Sequence, residues 1–281
     1  MPYENGLITA ATYVEKGGVG KTTTAAHVAV AAHTDHNLDT LLIDLAGTQN
    51  DLATQFGLDD EIQDLDAPIS AVFGSDWDFI RSNIPDVVDR MVFETDEGPD
   101  LIPADPGLGG ADNNLANIDV EERYEFLRTF IEEDLGDRYD FVLMDLPGKE
   151  DNISLNGLFA AENVVAPLKP GAFEENQLRK LETTLSEINE DLAVNLHLAL
   201  VFATMVDGRI SLHDNFVEDL AAEHPELVGE PIPATAGIGN SQDAGHTLFS
   251  FDEDERLNSA SRALASYREN TTRLLDNITP R

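Results

Sequence analysis

The stretch Glu15-Lys16-Gly17-Gly18-Val19-Gly20-Lys21-Thr22-Thr23-Thr24 limits what this chain can become more than any other. An apolar run, Leu7 to Val14, precedes it, and an Ala-rich run, Ala25 to Ala32, follows it. Strand, glycine-rich loop and helix in that order are what a phosphate-binding loop requires. Glycines at 17, 18 and 20 let the backbone curl so that successive N–H groups point at one anion. The start of the helix adds partial positive charge. Lys21 is placed to reach the outer phosphates of a nucleotide, and the Thr22 hydroxyl to sit on Mg²⁺. A plain glycine-rich turn would account for the glycines but not for a lysine at either end.

Composition narrows the setting. Asp plus Glu number 54 against 17 Lys plus Arg, a net charge of −37, and the acids are spread along the chain. Self-repulsion of that size destabilises a compact state in dilute salt. The expectation is a protein adapted to a high-salt cytoplasm, from a halophilic archaeon. Of only five lysines, two lie in the glycine-rich loop. Hydrophobic residues make up 42% of the 281, enough for a sizeable core. With no cysteine, disulfides, thiolate zinc sites and iron–sulfur clusters are excluded. No N-terminal segment reads as a signal peptide, and no apolar run reaches the roughly 20 residues of a membrane span. A cytoplasmic location is expected.

Apolar strand-like runs alternate with helical ones. Asp39–Asp44 and Phe141–Asp145 read as strands that end in a carboxylate. Leu101–Ala104, Asn163–Leu168, part of Leu192–Ala203 and Pro231–Ala234 read as further strands. Helices are expected at 51–56, 69–73, 77–83, 120–135, 154–161, 172–189, 212–222 and 256–278, and a Gly/Asp/Asn-rich connection at 105–114. Alternation of this kind predicts an α/β fold: a mostly parallel twisted sheet with helices on both faces, in one domain spanning 1–281. Ligands then sit at the carboxyl ends of strands, where the glycine-rich loop, Asp44 and Asp145 all fall.

The run Lys16-Gly17-Gly18-Val19-Gly20-Lys21-Thr22 resembles the deviant Walker A loop of the ParA/MinD family of ATPases. Tyr139 to Pro147 resembles that family's Walker B strand, Thr204 to Arg209 its segment after a later strand, and Ile232 through Asp252 its last strand and loop. The resemblance covers the whole chain. It implies a three-layer P-loop NTPase fold, bound ATP and Mg²⁺, and an ATP-dependent sandwich dimer. In that dimer Lys16 of one subunit would touch the phosphates held by the other. It puts Gly17, Gly18, Val19, Gly20, Lys21, Thr22, Thr23, Met205 and Pro233 among the nucleotide-binding residues. Thr22, Asp44 and Asp145 fall to the metal, and Lys16 and Asp44 to catalysis. The implied partners are a ParB-like or other activator and non-specific DNA, and the implied outcome is partition of plasmids or chromosomes, or positioning of a cargo.

The sequence departs from the family pattern in two places. The family carries Asp-x-Asp after its second strand, and here the run is Asp44-Leu45-Ala46. Matching the strands puts Asp44 on the first aspartate and Ala46 on the second, water-orienting one. A one-residue shift would let Asp44 serve as the second. Hydrolysis is expected to be slow, or to depend on Asp44, Gln49 or Asp51. The loop after the last strand, Ala234 to Asn240, lacks the arginines that contact DNA in the family. Arg179, Lys180, Arg209, Arg256, Arg262, Arg268 and Arg273 remain as candidates, against the alternative of a solvated, ion-paired helix face. A hydrolysis-poor ATP-bound scaffold is one alternative function. A MinD-like membrane-positioning ATPase is another, disfavoured because no lysine follows Lys180 to flank an interfacial helix.

Overall fold

A computed structural model describes residues 6–47, 50–171, 175–192, 194–252 and 257–278. Seven strands form one sheet: β1 (Ile8–Thr12), β2 (Thr40–Asp44), β3 (Phe93–Glu94), β4 (Asp100–Ile102), β5 (Phe141–Asp145), β6 (Asn163–Leu168) and β7 (His197–Ala203). Their order is β3-β4-β2-β5-β1-β6-β7. All neighbours are parallel except the short edge strand β3, which pairs antiparallel with β4.

Every residue of β2 and β5 is buried, as expected of strands covered on both faces. Alternate side chains feed two cores. Ala11, Leu41, Ile43, Val142 and Met144 face one helical layer. Ala10, Leu42, Phe141 and Leu143 face the other. The first layer contains α3 (Trp77–Asn83), α4 (Leu108–Leu115), α6 (Phe126–Phe130), α7 (Asn152–Ala161), α8 (Glu175–Leu192) and α9 (Ser211–Glu223). The second contains α1 (Lys21–His36), α2 (Asp51–Gln55) and α11 (Asn258–Ile278). Helix α1 is sealed between the sheet and α11, with Ala25, Ala26, Val28, Ala29, Ala31 and Ala32 all fully buried. Small side chains let the two neighbours approach, and burial all round explains why the helix shows little apolar face of its own.

Several expectations are corrected. The 105–114 connection holds a helix, α4, whose Leu108, Ala111 and Leu115 are buried at helical spacing. The expected 120–135 helix is three pieces: α5 (Val120–Arg123), α6, and a π-helical turn, Ile131–Leu135. Val120 is 54% exposed, so it does not share the buried face of Leu127 and Ile131. Pro231–Ala234 makes only an isolated bridge between Pro233 and Val206. Pro231 and Pro233 lack the N–H groups a ladder needs. The segment from Ala236, taken as loop, is helix α10 (Ala236–Asp243), capped by the Thr235 hydroxyl accepting from Gly237 N–H. Residues 69–73 form a 3₁₀ turn. Residues 172–174 and Arg256, from the expected starts of α8 and α11, lie outside the described residues.

Candidate functional site

β1, β5 and β2 end side by side, with Thr12 opposite Asp145 and Asp145 opposite Asp44. The glycine-rich loop leaves β1 at this edge and opens α1. Gly18 and Gly20 have φ of 71° and 90°, the left-handed region that a side chain would strain. Gly17 and Gly18 are exposed, whereas the Val19 side chain is fully buried and belongs to the core. The Val19 carbonyl accepts from the Thr204 hydroxyl (2.8 Å), which ties the end of β7 to the loop. Glu15, where the common pattern has glycine, is ion-paired with Lys180 of α8 and accepts from the Thr184 hydroxyl (3.1 Å). The acid therefore moors the loop to α8.

The Thr22 hydroxyl donates to Asp145 Oδ2 (2.6 Å) and the Thr12 hydroxyl to Asp145 Oδ1 (2.7 Å). Lys21 is buried and donates from Nζ to the Lys16 carbonyl (2.9 Å). Burial lowers its pKa, and Asp145 opposes that shift. Lys16 itself is half-buried. Asp145 is fully buried, and burial raises its pKa against the opposing hydrogen bonds from Thr12 and Thr22. Asp44 is raised more strongly, first by burial and then by the Asp145 charge. Asp44 Oδ1 accepts from Ala46 N–H (2.9 Å). Ala46, half-buried, presents no carboxylate there, and Gln49 lies outside the described residues.

A hydroxyl beside two buried carboxylates is a set of hard oxygen donors, the kind that suits Mg²⁺ rather than a soft metal. Burial is what raises the pKa of both carboxyl groups, and a divalent cation beside them would favour their charged forms. Among the described residues no group of three or more His, Asp or Glu side chains is arranged to hold a metal alone. A magnesium ion here would therefore share its coordination with phosphate and water, as Mg²⁺ commonly does.

Two cavities adjoin the loop. A polar cleft of about 440 Å³ is lined by Gly18, Gly20 to Thr23, Asp51, Thr54, Gln55, Met205 and Gln242. A more apolar pocket of about 320 Å³ is bounded by Met205, Ile232, Pro233, Thr235 and Ile238. They share Gly20, Thr23 and Met205. Met205 holds φ of 54°, an uncommon conformation for a residue with a side chain. Phosphates in the first cavity and a base in the second match the chemistry of each lining. Sequence reasoning missed Thr12, although its place opposite Asp145 follows from aligning the two strands. It also missed Gly148, where an added Cβ would lie 2.9 Å from both the Lys16 carbonyl and Lys21 Nζ. Gln55 and Gln242 carried no motif signal.

The basic residues considered for DNA are mostly engaged. Arg179 pairs with Glu223, Lys180 with Glu15, Arg209 with Asp207, and Arg268 with Asp35. Arg273 donates to the Val228 carbonyl. Arg262 is exposed on α11, and Arg256 lies outside the described residues. Among the described residues no helix is long and apolar enough to cross a membrane.

A phosphate loop between a parallel strand and a buried helix, with its Thr22 hydroxyl on Asp145 of the neighbouring strand, defines a P-loop nucleotide-binding protein. Residues 8–199 match the AAA_31 family model, an AAA domain. Relatives include the chromosome-partitioning ATPase Soj of Thermus thermophilus, 31% identical over 83% of this chain and 84% of its own. Chromosome partitioning protein ParA of Myxococcus xanthus is 25% identical over 85% of this chain and 79% of its own. Among solved structures, cobyrinic acid a,c-diamide synthase from Mycobacterium smegmatis with bound ADP and magnesium superposes with a TM-score of 0.72 at 26% identity, covering 96% of this chain and 94% of that one. The chain belongs to the AAA_31 family, among the ParA/Soj-type P-loop ATPases.

Proposed function

We propose that this chain binds Mg·ATP in the two cavities, hydrolyses it slowly, and uses an ATP-dependent homodimer to partition DNA or position a cargo. The observation that carries the reading is the Thr22–Asp145–Thr12 cluster beside buried Lys21, at the carboxyl ends of three adjacent parallel strands. Gly17, Gly18, Gly20, Lys21 and Thr23 would hold the phosphates, with Val19 contributing its backbone only. Met205 and Pro233 would flank the base. Thr22 and Asp145, with Asp44 behind them, would hold Mg²⁺, which when bound neutralises charge on the phosphates. Lys16 would reach the phosphates of the second subunit. The chain acts as one ATPase domain, and its acidity suits concentrated salt. An activating partner, ParB-like in role, would set the turnover. The lack of basic residues in the 234–240 segment makes DNA binding weak, and the location we infer is the cytoplasm.

The geometry of Asp44 favours one particular second reading. Its carboxylate is turned back onto Ala46 N–H, and Ala46 offers no carboxylate of its own. Such a site supports an ATP-holding scaffold with little turnover. Calorimetry with Mg·ATP in molar KCl tests binding, and absence of heat with folded protein ends both readings. Phosphate release in the same salt, with and without DNA and a candidate partner, separates them. Stimulated release that disappears in Asp44→Ala supports the cycling ATPase, and none under any condition supports the scaffold.

A further inference from the structure

One buried device beside the loop has no part in the reading above. Gln55 closes α2 and is 2% exposed. Its Nε2 donates to the His246 carbonyl (2.6 Å). A carbonyl only accepts, so the Gln55 amide has one orientation and its Oε1 faces away. That Oε1 accepts from Gln242 Nε2 (3.1 Å). The same nitrogen also donates to Thr23 Oγ1 (3.1 Å). Both amide hydrogens of Gln242 are thereby committed, and its orientation descends from a backbone carbonyl two side chains away. The acceptor left over is Gln242 Oε1. It belongs to a half-buried residue that lines the polar cleft beside Gly20 to Thr23.

An amide oxygen repels phosphate oxygens and reads donors. A nucleoside triphosphate offers donors at its ribose hydroxyls and on its base. Gln242 does not border the apolar pocket suited to the base, whereas Thr23, which it touches, borders both cavities. The sugar joins base to phosphates and must pass that shared wall. We propose that Gln242 Oε1 accepts a hydrogen bond from a ribose hydroxyl of the nucleotide, with Gln55 as the positioning residue that fixes the Gln242 amide. The inference rests on the nucleotide-binding reading and deepens it to a preference for ribonucleotides over deoxyribonucleotides.

Calorimetry on the full chain, with Mg²⁺ in molar KCl, compares ATP, 2′-deoxyATP and 3′-deoxyATP. Loss of one hydrogen bond of this kind corresponds to about three- to tenfold in Kd. The unaltered protein is expected to bind at least one deoxy analogue about fivefold more weakly than ATP. Gln242→Met, similar in length, should erase that difference, and Gln55→Met should shrink it. Equal affinity for all three nucleotides overturns the inference and leaves the nucleotide-binding reading standing. Absence of binding by ATP itself ends that reading and this one with it. Gln242→Met weakening all three ligands by one factor also overturns the inference, since the side chain then acts on phosphate or on the fold. The comparison on unaltered protein needs no variant, so equal affinities overturn the inference even if Gln242→Met does not fold, and Gln55→Met then carries the assignment.

Discussion

At Gly148 the backbone after β5 passes so close to the phosphate loop that a single methyl group has no room. Gly148→Ala would press on the Lys16 carbonyl and on Lys21 Nζ together, and these are partners. The loop must shift, and overpacking of this kind costs about 1–3 kcal/mol. The expected outcome is roughly tenfold weaker Mg·ATP binding by calorimetry, more than any loss of thermal stability explains. Thr22→Val tests a neighbouring contact. It deletes the donor to Asp145 and should remove most of the Mg²⁺-dependent part of ATP affinity, while affinity in EDTA changes little. Thr22, Lys21 and Asp145 were legible in the sequence because each has a fixed offset from a strand end. Gly148 and Gln242 were not, since what matters about them is a distance to a residue far along the chain.

At the scale of elements, α1 joins the site to the second core. His27, one turn beyond the loop, is fully buried and stacks on Tyr267 of α11 (4.4 Å between ring centres). Its Nδ1 donates to the Thr23 carbonyl (2.7 Å), and its Nε2 accepts from Leu248 N–H (3.2 Å). That pairing admits only the neutral ring, and burial pulls the pKa from 6.5 down to about 4 despite the Thr23 contact. Below pH 6.5 the unfolded chain takes up a proton that the folded chain refuses, so stability falls as pH drops from 6.5 to about 4. The full loss is about 3 kcal/mol. Asp44 and Asp145 act in the opposite sense, since raised carboxyl pKa values favour the folded state as pH falls. Comparing melts of the unaltered protein and His27→Gln across that range isolates the histidine, and the advantage of His27 should shrink toward low pH. NMR should find the His27 ring neutral at pH 6. The six parallel strands and α1 were readable from apolar runs, whereas the two-residue edge strand β3 was not. Helices α4 and α10 were hidden because glycine, asparagine and aspartate fill positions that tertiary packing, not propensity, makes helical.

Across the whole molecule, 54 acidic side chains meet 17 basic ones. Ion pairs such as Arg81 with Glu133, Arg90 with Asp66 and Arg138 with Asp89 occupy many of those few cations. The excess negative charge has no internal partner, so screening must come from solution. The melting temperature is expected to climb steadily from dilute buffer to molar KCl, and a flat salt profile would contradict this. The charge was plain in the composition. Its consequence for DNA was not, because ion pairing of Arg179 and Arg268 depends on which helices meet. Strand order has a further consequence. The loop, Thr12, Asp145 and Asp44 hang from β1, β5 and β2, three strands with neighbours on both sides. Fraying at the β3 or β7 margins leaves those attachments standing, and they come apart only when the middle of the sheet opens. Bound nucleotide should therefore slow amide exchange in β1, β2 and β5 as a block, far from any atom it touches.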